Sequence, residues 1–163
     1  QSLHLADARK NKYFRNLTLM RNFDIPQLRA DFSFSTPIQL RFSDIDGYLH
    51  VNNGVYFSYF EHARAVFLYL QAGWDVLDVG TVVGRIEIDY IRPIHLQDQV
   101  EALVKCSRLG NSSFDLEQVL LGKDPAGKEY VFANCKSVLV SVDKNTMKPV
   151  SIPDAYRLKL ASS

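Results

Sequence analysis

"SDIDGYLHVNNGVYFSYFEHAR", residues 43–64, decides the fold, because it changes character halfway along. From Asn53 onward Val55, Tyr56, Tyr59, Phe60, Ala63, Val66, Phe67 and Leu70 recur three and four residues apart, which predicts a helix reaching towards Gly73. Phe57, Leu68 and Tyr69 widen the apolar stripe, so the helix is expected to be buried on several sides. Asn52 or Asn53 suits its N-cap, and Gly73 suits its end. Just ahead of it lies a polar cluster: Asp44, Asp46, His50, Asn52 and Asn53.

Working outward, the flanking segments read as strands. "TPIQLRFSD" (36–44) precedes the helix. "GRIEIDYIRP" alternates Ile86, Ile88 and Tyr90 with charged residues and stops at Pro93. "DQVEALVKCSRLG", "SSFDLEQVLLG" and the long "EYVFANCKSVLVSVD" follow, the last two separated by the turn sequence "KDPAGK". Connections this short predict that the four later strands are consecutive antiparallel neighbours. One long helix and one sheet bury each other best when the sheet wraps the helix, an α+β domain. Residues 1–33 read as an N-terminal extension with a short helix near Lys12–Met20, residues 34–163 as the domain, and "DKNTMKP" as the turn into a short tail.

With 163 residues, 47% of them hydrophobic, and a formal charge of +1, the chain has the composition of one ordinary globular domain. That charge excludes a basic footprint for nucleic acid, and no apolar run is long enough to span a bilayer. Cys106 and Cys135 form no C-x-x-C pair and sit in alternating strand patterns. They are expected to be reduced, which points to a cytoplasmic setting with organelles left open.

The polar cluster has a chemical reading. The first turn of a helix presents unpaired N–H groups and the positive end of the helix dipole. Aimed at a carbonyl, they make an oxyanion hole, and a carboxylate a few residues upstream can serve as base or nucleophile. The plainer reading is an aspartate that shapes a turn and an Asn-Asn pair that caps a helix. Glu61 is a second candidate carboxylate, expected instead to pair with Arg64 or to pack against alanines. His62 is outside any H-E-x-x-H pattern, and no His or Cys has metal-ligand spacing, so neither metal nor cofactor is expected. His95 is expected in a solvent-facing turn.

"RFSDIDGYLHVNNGVYFSYFEHAR" also resembles the signature of the 4-hydroxybenzoyl-CoA thioesterase-like branch of the hotdog-fold acyl thioesterases. The residues that carry it are Asp46, His50, Val51, Asn52, Asn53, Tyr56, Phe60, Glu61 and Arg64. The likeness continues through "IEIDYIRPIHLQDQVE", "GNSSFDLEQVL" and "VSVDKNTMKPVSIP", over about residues 36–155. It implies a hotdog fold whose two subunits share a pair of active sites. It carries the catalytic carboxylate onto Asp46 and the oxyanion-hole amide onto Asn53, with His50, Asn52 and Tyr56 shaping the pocket. Taken by themselves, Arg92, Arg108, Asn111 and Ser113 read either as contacts for the pantetheine or nucleotide end of a thioester or as solvated loop residues. Leu49 departs from the pattern, standing where most of the branch has glycine. Plant-type acyl-carrier-protein thioesterases, similar in D-x-x-x-H-V-N-N, also lack that glycine, so acyl-ACP stands beside acyl-CoA as substrate.

The reading is therefore a hotdog thioesterase that hydrolyses fatty acyl-CoA or acyl-ACP as a homodimer, with pairing into tetramers open. An enoyl-thioester hydratase and a non-enzymatic acyl-thioester binder are its alternatives. Tyr56, Tyr59, Phe60, Phe67, Ile86, Ile88 and Tyr90 are expected to line an acyl pocket free of buried positive charge.

Overall fold

The structure, a computed structural model, describes residues 23–163; the helix expected near Lys12–Met20 lies outside them. The elements are α1 (Ile25–Asp31), β1 (Phe34–Ile38), a 3-10 turn (Phe42–Asp44), α2 (Asn53–Leu70), β2 (Gly80–Tyr90), β3 (Gln99–Leu109), β4 (Ser113–Lys123), β5 (Glu129–Val142) and α3 (Asp154–Ala161).

Asn52 starts α2, its side-chain oxygen accepting the Gly54 amide at 2.9 Å. At the other end Gly73 takes φ +60°, and the Trp74 amide returns to the Leu68 carbonyl at 2.8 Å. Tyr56, Tyr59, Phe60, Ala63, Phe67 and Leu68 face the sheet and are buried. Each of the large apolar ones contributes about 1.5–3 kcal/mol by leaving water. Phe57, Ala65, Tyr69 and Leu70 are exposed. Within one chain the helix is thus covered along its sheet face, not on several sides.

All five strands form one antiparallel sheet in the order β1-β3-β4-β5-β2. This corrects the expected run of consecutive neighbours, because β2 pairs with β5 and not with β3. Residues 91–98 are a crossover: Ile94 is fully buried, and its carbonyl accepts the Val51 amide at 2.8 Å. Pro93, with no N–H to give a ladder, sits where the chain leaves the sheet. Where β4 leaves β3 the strands approach so closely that a Cβ on Gly122 would come 1.9 Å from the Gln99 carbonyl oxygen.

The first strand ends at Ile38, earlier than expected. Asp44 bends residues 41–44 instead: its Oδ2 accepts the Arg41 amide at 2.8 Å and the Tyr59 hydroxyl at 2.6 Å. The expected tail contains α3, whose Tyr156 stacks on Trp74 at 4.6 Å between ring centres. On the outer face of the sheet α1 covers a second cluster of Leu103, Val119, Leu121 and Val131 with Ile25 and Leu28. Arg29 ties α1 down by ion pairs to Glu101 at 2.6 Å and Glu129 at 3.0 Å.

Candidate active site

Between the 3-10 turn and α2 the chain makes a five-residue loop. The Ile45–Val51 bridge closes it, and the Asp46 amide donates to the His50 carbonyl at 2.8 Å. Asp46 also organises the loop with its side chain: Oδ1 accepts the Tyr48 amide at 2.8 Å and the His50 amide at 3.4 Å. Its second carboxylate oxygen takes no donor among the described residues. The turn-forming reading and the chemical reading of Asp46 are therefore compatible, one oxygen for each.

That loop, the first turn of α2 and the crossover enclose a cavity of about 490 Å³. Asp46, His50, Asn52, Asn53 and Tyr56 all line it, so five of the six expected site residues come together. Asn52 spends its side-chain oxygen on the Gly54 amide, leaving the Asn53 amide at the first helical position, where no intrahelical acceptor exists. Tyr90 on β2 fixes that end by donating to the Asn53 carbonyl at 2.9 Å. Tyr56 is a pin: its hydroxyl accepts the Ile94 amide at 3.1 Å and donates to the Arg92 carbonyl at 3.4 Å. Burial pushes its pKa up to about 12, against the opposing bond from Ile94, so it is neutral in the working range.

The sixth residue, Ser113, opens β4 outside this cavity, and its hydroxyl accepts from Arg108 at 3.2 Å. Arg108 is itself committed to Asp115, at 2.6 and 2.9 Å. Asn111 holds the C-terminal segment, accepting from Ile152 and Arg157. Of the residues expected at the far end of a thioester, only Arg92 lines the cavity.

Four expectations are corrected. His95 does not simply face solvent: its ring packs edge-on against His50 at 4.8 Å, and its amide donates to the buried Asp98 carboxylate at 2.8 Å. Glu61 is exposed and forms no ion pair with Arg64. Arg64 is 5% exposed, and its Nη1 has no partner among the described residues. Burial drives its pKa down, but a guanidinium stays protonated in the working range, so the space between helix and sheet does hold a cation. Phe60 and Phe67 are fully buried core, and of the seven side chains expected to line an acyl pocket only Tyr56 and Tyr90 reach the cavity. Tyr48, Ile91 and Pro93 are wall residues that the sequence reading did not assign to the site; Pro93, ending a strand beside the helix start, was their one sequence signal.

The sequence profile of the thioesterase-like superfamily matches residues 40–160. The chain belongs to that superfamily. Its fold is the hotdog fold and its chemistry is that of the thioester hydrolases. It is 30% identical to the long-chain acyl-CoA thioesterase FadM of Escherichia coli, over 77% of this chain and 95% of that one. The solved PA5185 protein of Pseudomonas aeruginosa superposes with a TM-score of 0.74 at 32% identity, over 82% of this chain and 93% of that one. A Thermus thermophilus thioesterase solved with coenzyme A and zinc gives a TM-score of 0.67 at 33% identity, over 79% and 98%. Among the described residues no group of three or more His, Cys, Asp or Glu is arranged to hold a metal, and no helix is long and apolar enough to cross a membrane.

Proposed function

We propose that the chain hydrolyses fatty acyl-CoA thioesters at the cavity below the start of α2. The observation that carries this reading is the division of labour at Asp46. One oxygen is held by two loop amides while the other is free in a cavity also lined by Asn53, whose amide stands at the first helical position. In this reading Asp46 takes a proton from water as the oxygen attacks the thioester carbonyl. The Asn53 amide and the helix dipole stabilise the resulting oxyanion. Collapse breaks the C–S bond, and the departing thiolate takes the proton back from Asp46. Direct attack by Asp46, giving a mixed anhydride that water cleaves, uses the same two groups. His50 and Asn52 shape the loop and Tyr56 holds the crossover against it.

A homodimer completes the reading. β2 is an eleven-residue edge strand, and its Val83 and Tyr90 stand exposed. An edge of that length needs a cover. A partner there also supplies apolar wall that one chain lacks, and brings a second Ser113 into play. Both cysteines are free, Cys135 buried and Cys106 half-buried, which fits a reducing, cytoplasmic setting.

The test is thiol release from a panel of acyl-CoA thioesters. The expected kcat/KM rises from acetyl to medium and long acyl chains, roughly fourfold for each methylene that enters an apolar pocket. A preference for acetyl or malonyl groups would contradict the fatty acyl assignment, and absence of turnover with every thioester would contradict hydrolysis.

A further inference from the structure

Asp46 and Asn53 stand on opposite sides of a narrow neck. The Ile45–Val51 bridge closes the loop that carries Asp46, and beside it the Asn52 amide donates to the Asp44 carbonyl at 2.8 Å. Asp44 precedes Asp46 by two residues, and Asn52 precedes Asn53 by one. The separation of the carboxylate from the helix-start amide is set across these contacts.

Asp44 is itself held from within α2. Its Oδ2 accepts the Tyr59 hydroxyl at 2.6 Å and the Arg41 amide at 2.8 Å. A hydroxyl on a carboxylate at that length makes a charge-assisted bond, stronger than one between neutral groups. Tyr59 is 7% exposed, and burial, then the bond to Asp44, raises its pKa, so its hydroxyl remains a donor throughout the working range. The contacts form a closed circuit. Tyr59 holds the Asp44 side chain, the Asp44 carbonyl holds Asn52, and the first two turns of α2 lead from Asn52 back to Tyr59. Tyr56 serves the other flank: it takes the Ile94 amide, and the Ile94 carbonyl takes the Val51 amide. The successive amides of Val51 and Asn52 are thus each tied to a buried tyrosine of α2. Tyr59, unlike Tyr56, does not line the catalytic cavity, so any effect it has there passes through Asp44.

We infer that Tyr59 is a positioning residue for the reaction: through Asp44 and Asn52 it fixes where the Asn53 amide points relative to the Asp46 carboxylate. A catalytic group displaced by about 1 Å costs on the order of a hundredfold in rate, as does removal of an oxyanion donor, so a loosened circuit should cost at least about tenfold. The assignment rests on the hydrolytic reading above.

Tyr59→Phe keeps the aromatic ring and removes the hydroxyl. Assayed on a long-chain acyl-CoA well below the melting temperature, its kcat should fall at least about tenfold while KM changes less than about twofold. In an Asp44→Ala background the same substitution should change kcat less than about twofold, because the bond it breaks is already gone. Tyr156→Phe deletes a hydroxyl bonded to Asp78 at 3.2 Å, beyond the other end of α2, and should keep the wild-type kcat. Amide hydrogen exchange reads the circuit without substrate. In Tyr59→Phe the Asn52 amide should exchange at least about tenfold faster, and the Val51 amide at the wild-type rate. Unchanged kcat in folded Tyr59→Phe, an equal loss with and without Asp44, a like loss in Tyr156→Phe, or unchanged exchange at Asn52 would each overturn the inference. A wild type that hydrolyses no thioester, while its Asn52 amide still loosens in Tyr59→Phe, would remove the proposed reaction and leave the hold of Tyr59 on the helix start standing.

Discussion

Leu49 stands in the loop with φ +64° and its side chain 74% exposed. A branched residue in the left-handed region costs about 1–2 kcal/mol that glycine avoids. Leu49→Gly gives back part of this through the freer unfolded chain, so a net stabilisation of up to about 1 kcal/mol is expected by denaturant titration. Leu49→Ala, equally strained, should leave stability unchanged; equal gains in both variants would show that the backbone angle is not the cause. The spacing of Asp46, His50, Asn52 and Asn53 was readable because the loop is local. The roles of the two aspartates were not, since Asp44 is fixed by Tyr59, fifteen residues away. Asp115 is a second carboxylate whose role only the fold reveals. Hydrogen bonding to Arg108, and then Lys136, holds its pKa below the usual carboxylate value against the effect of burial. A carboxylate depressed in the folded state stabilises fully above its unfolded pKa, and that stability is lost as pH falls through the folded value. The melting temperature should therefore drop more steeply below about pH 4 in the wild type than in Asp115→Asn. Parallel curves would show that the pair contributes nothing.

At the level of elements, α2 and the alternating runs of β3, β4 and β5 were legible because each follows its own period. Gln118, in phase with Phe114 and Leu116, is buried and donates to the Phe60 carbonyl at 2.8 Å. The C-terminal helix was missed because α3 is short and shows little periodicity, with Leu158 exposed two residues before the buried Leu160. Its stability comes from docking, chiefly Tyr156 on Trp74 and Leu160 in the core. Leu160→Ala should cost about 3 kcal/mol, the usual scale for emptying a buried leucine site. Leu158→Ala, 72% exposed, should change stability by less than about 0.5 kcal/mol. Similar small effects from both would mean that α3 is not docked in solution.

Across the whole molecule, the strand order could not be read from connection lengths. The eight residues 91–98 suit a wide hairpin as well as a crossover, and only the burial of Ile94 beside Val51 decides between them. Arg64 was equally opaque, since a cation on a helix normally reaches solvent and this one packs inward near Cys135. The exposed edge of β2 makes the assembly itself a prediction. Light scattering at micromolar concentration should give at least a dimer, with on the order of 2,000 Å² buried. A stable, active monomer would remove the shared site. The central claim, that Asp46 performs the chemistry, has a more direct test. Asp46→Asn keeps a side-chain oxygen to accept the Tyr48 and His50 amides, so the loop should hold and the melting temperature should change little. Measured on a long-chain acyl-CoA, the variant's kcat should fall at least about a hundredfold; near-wild-type turnover in a folded Asp46→Asn protein would contradict the account.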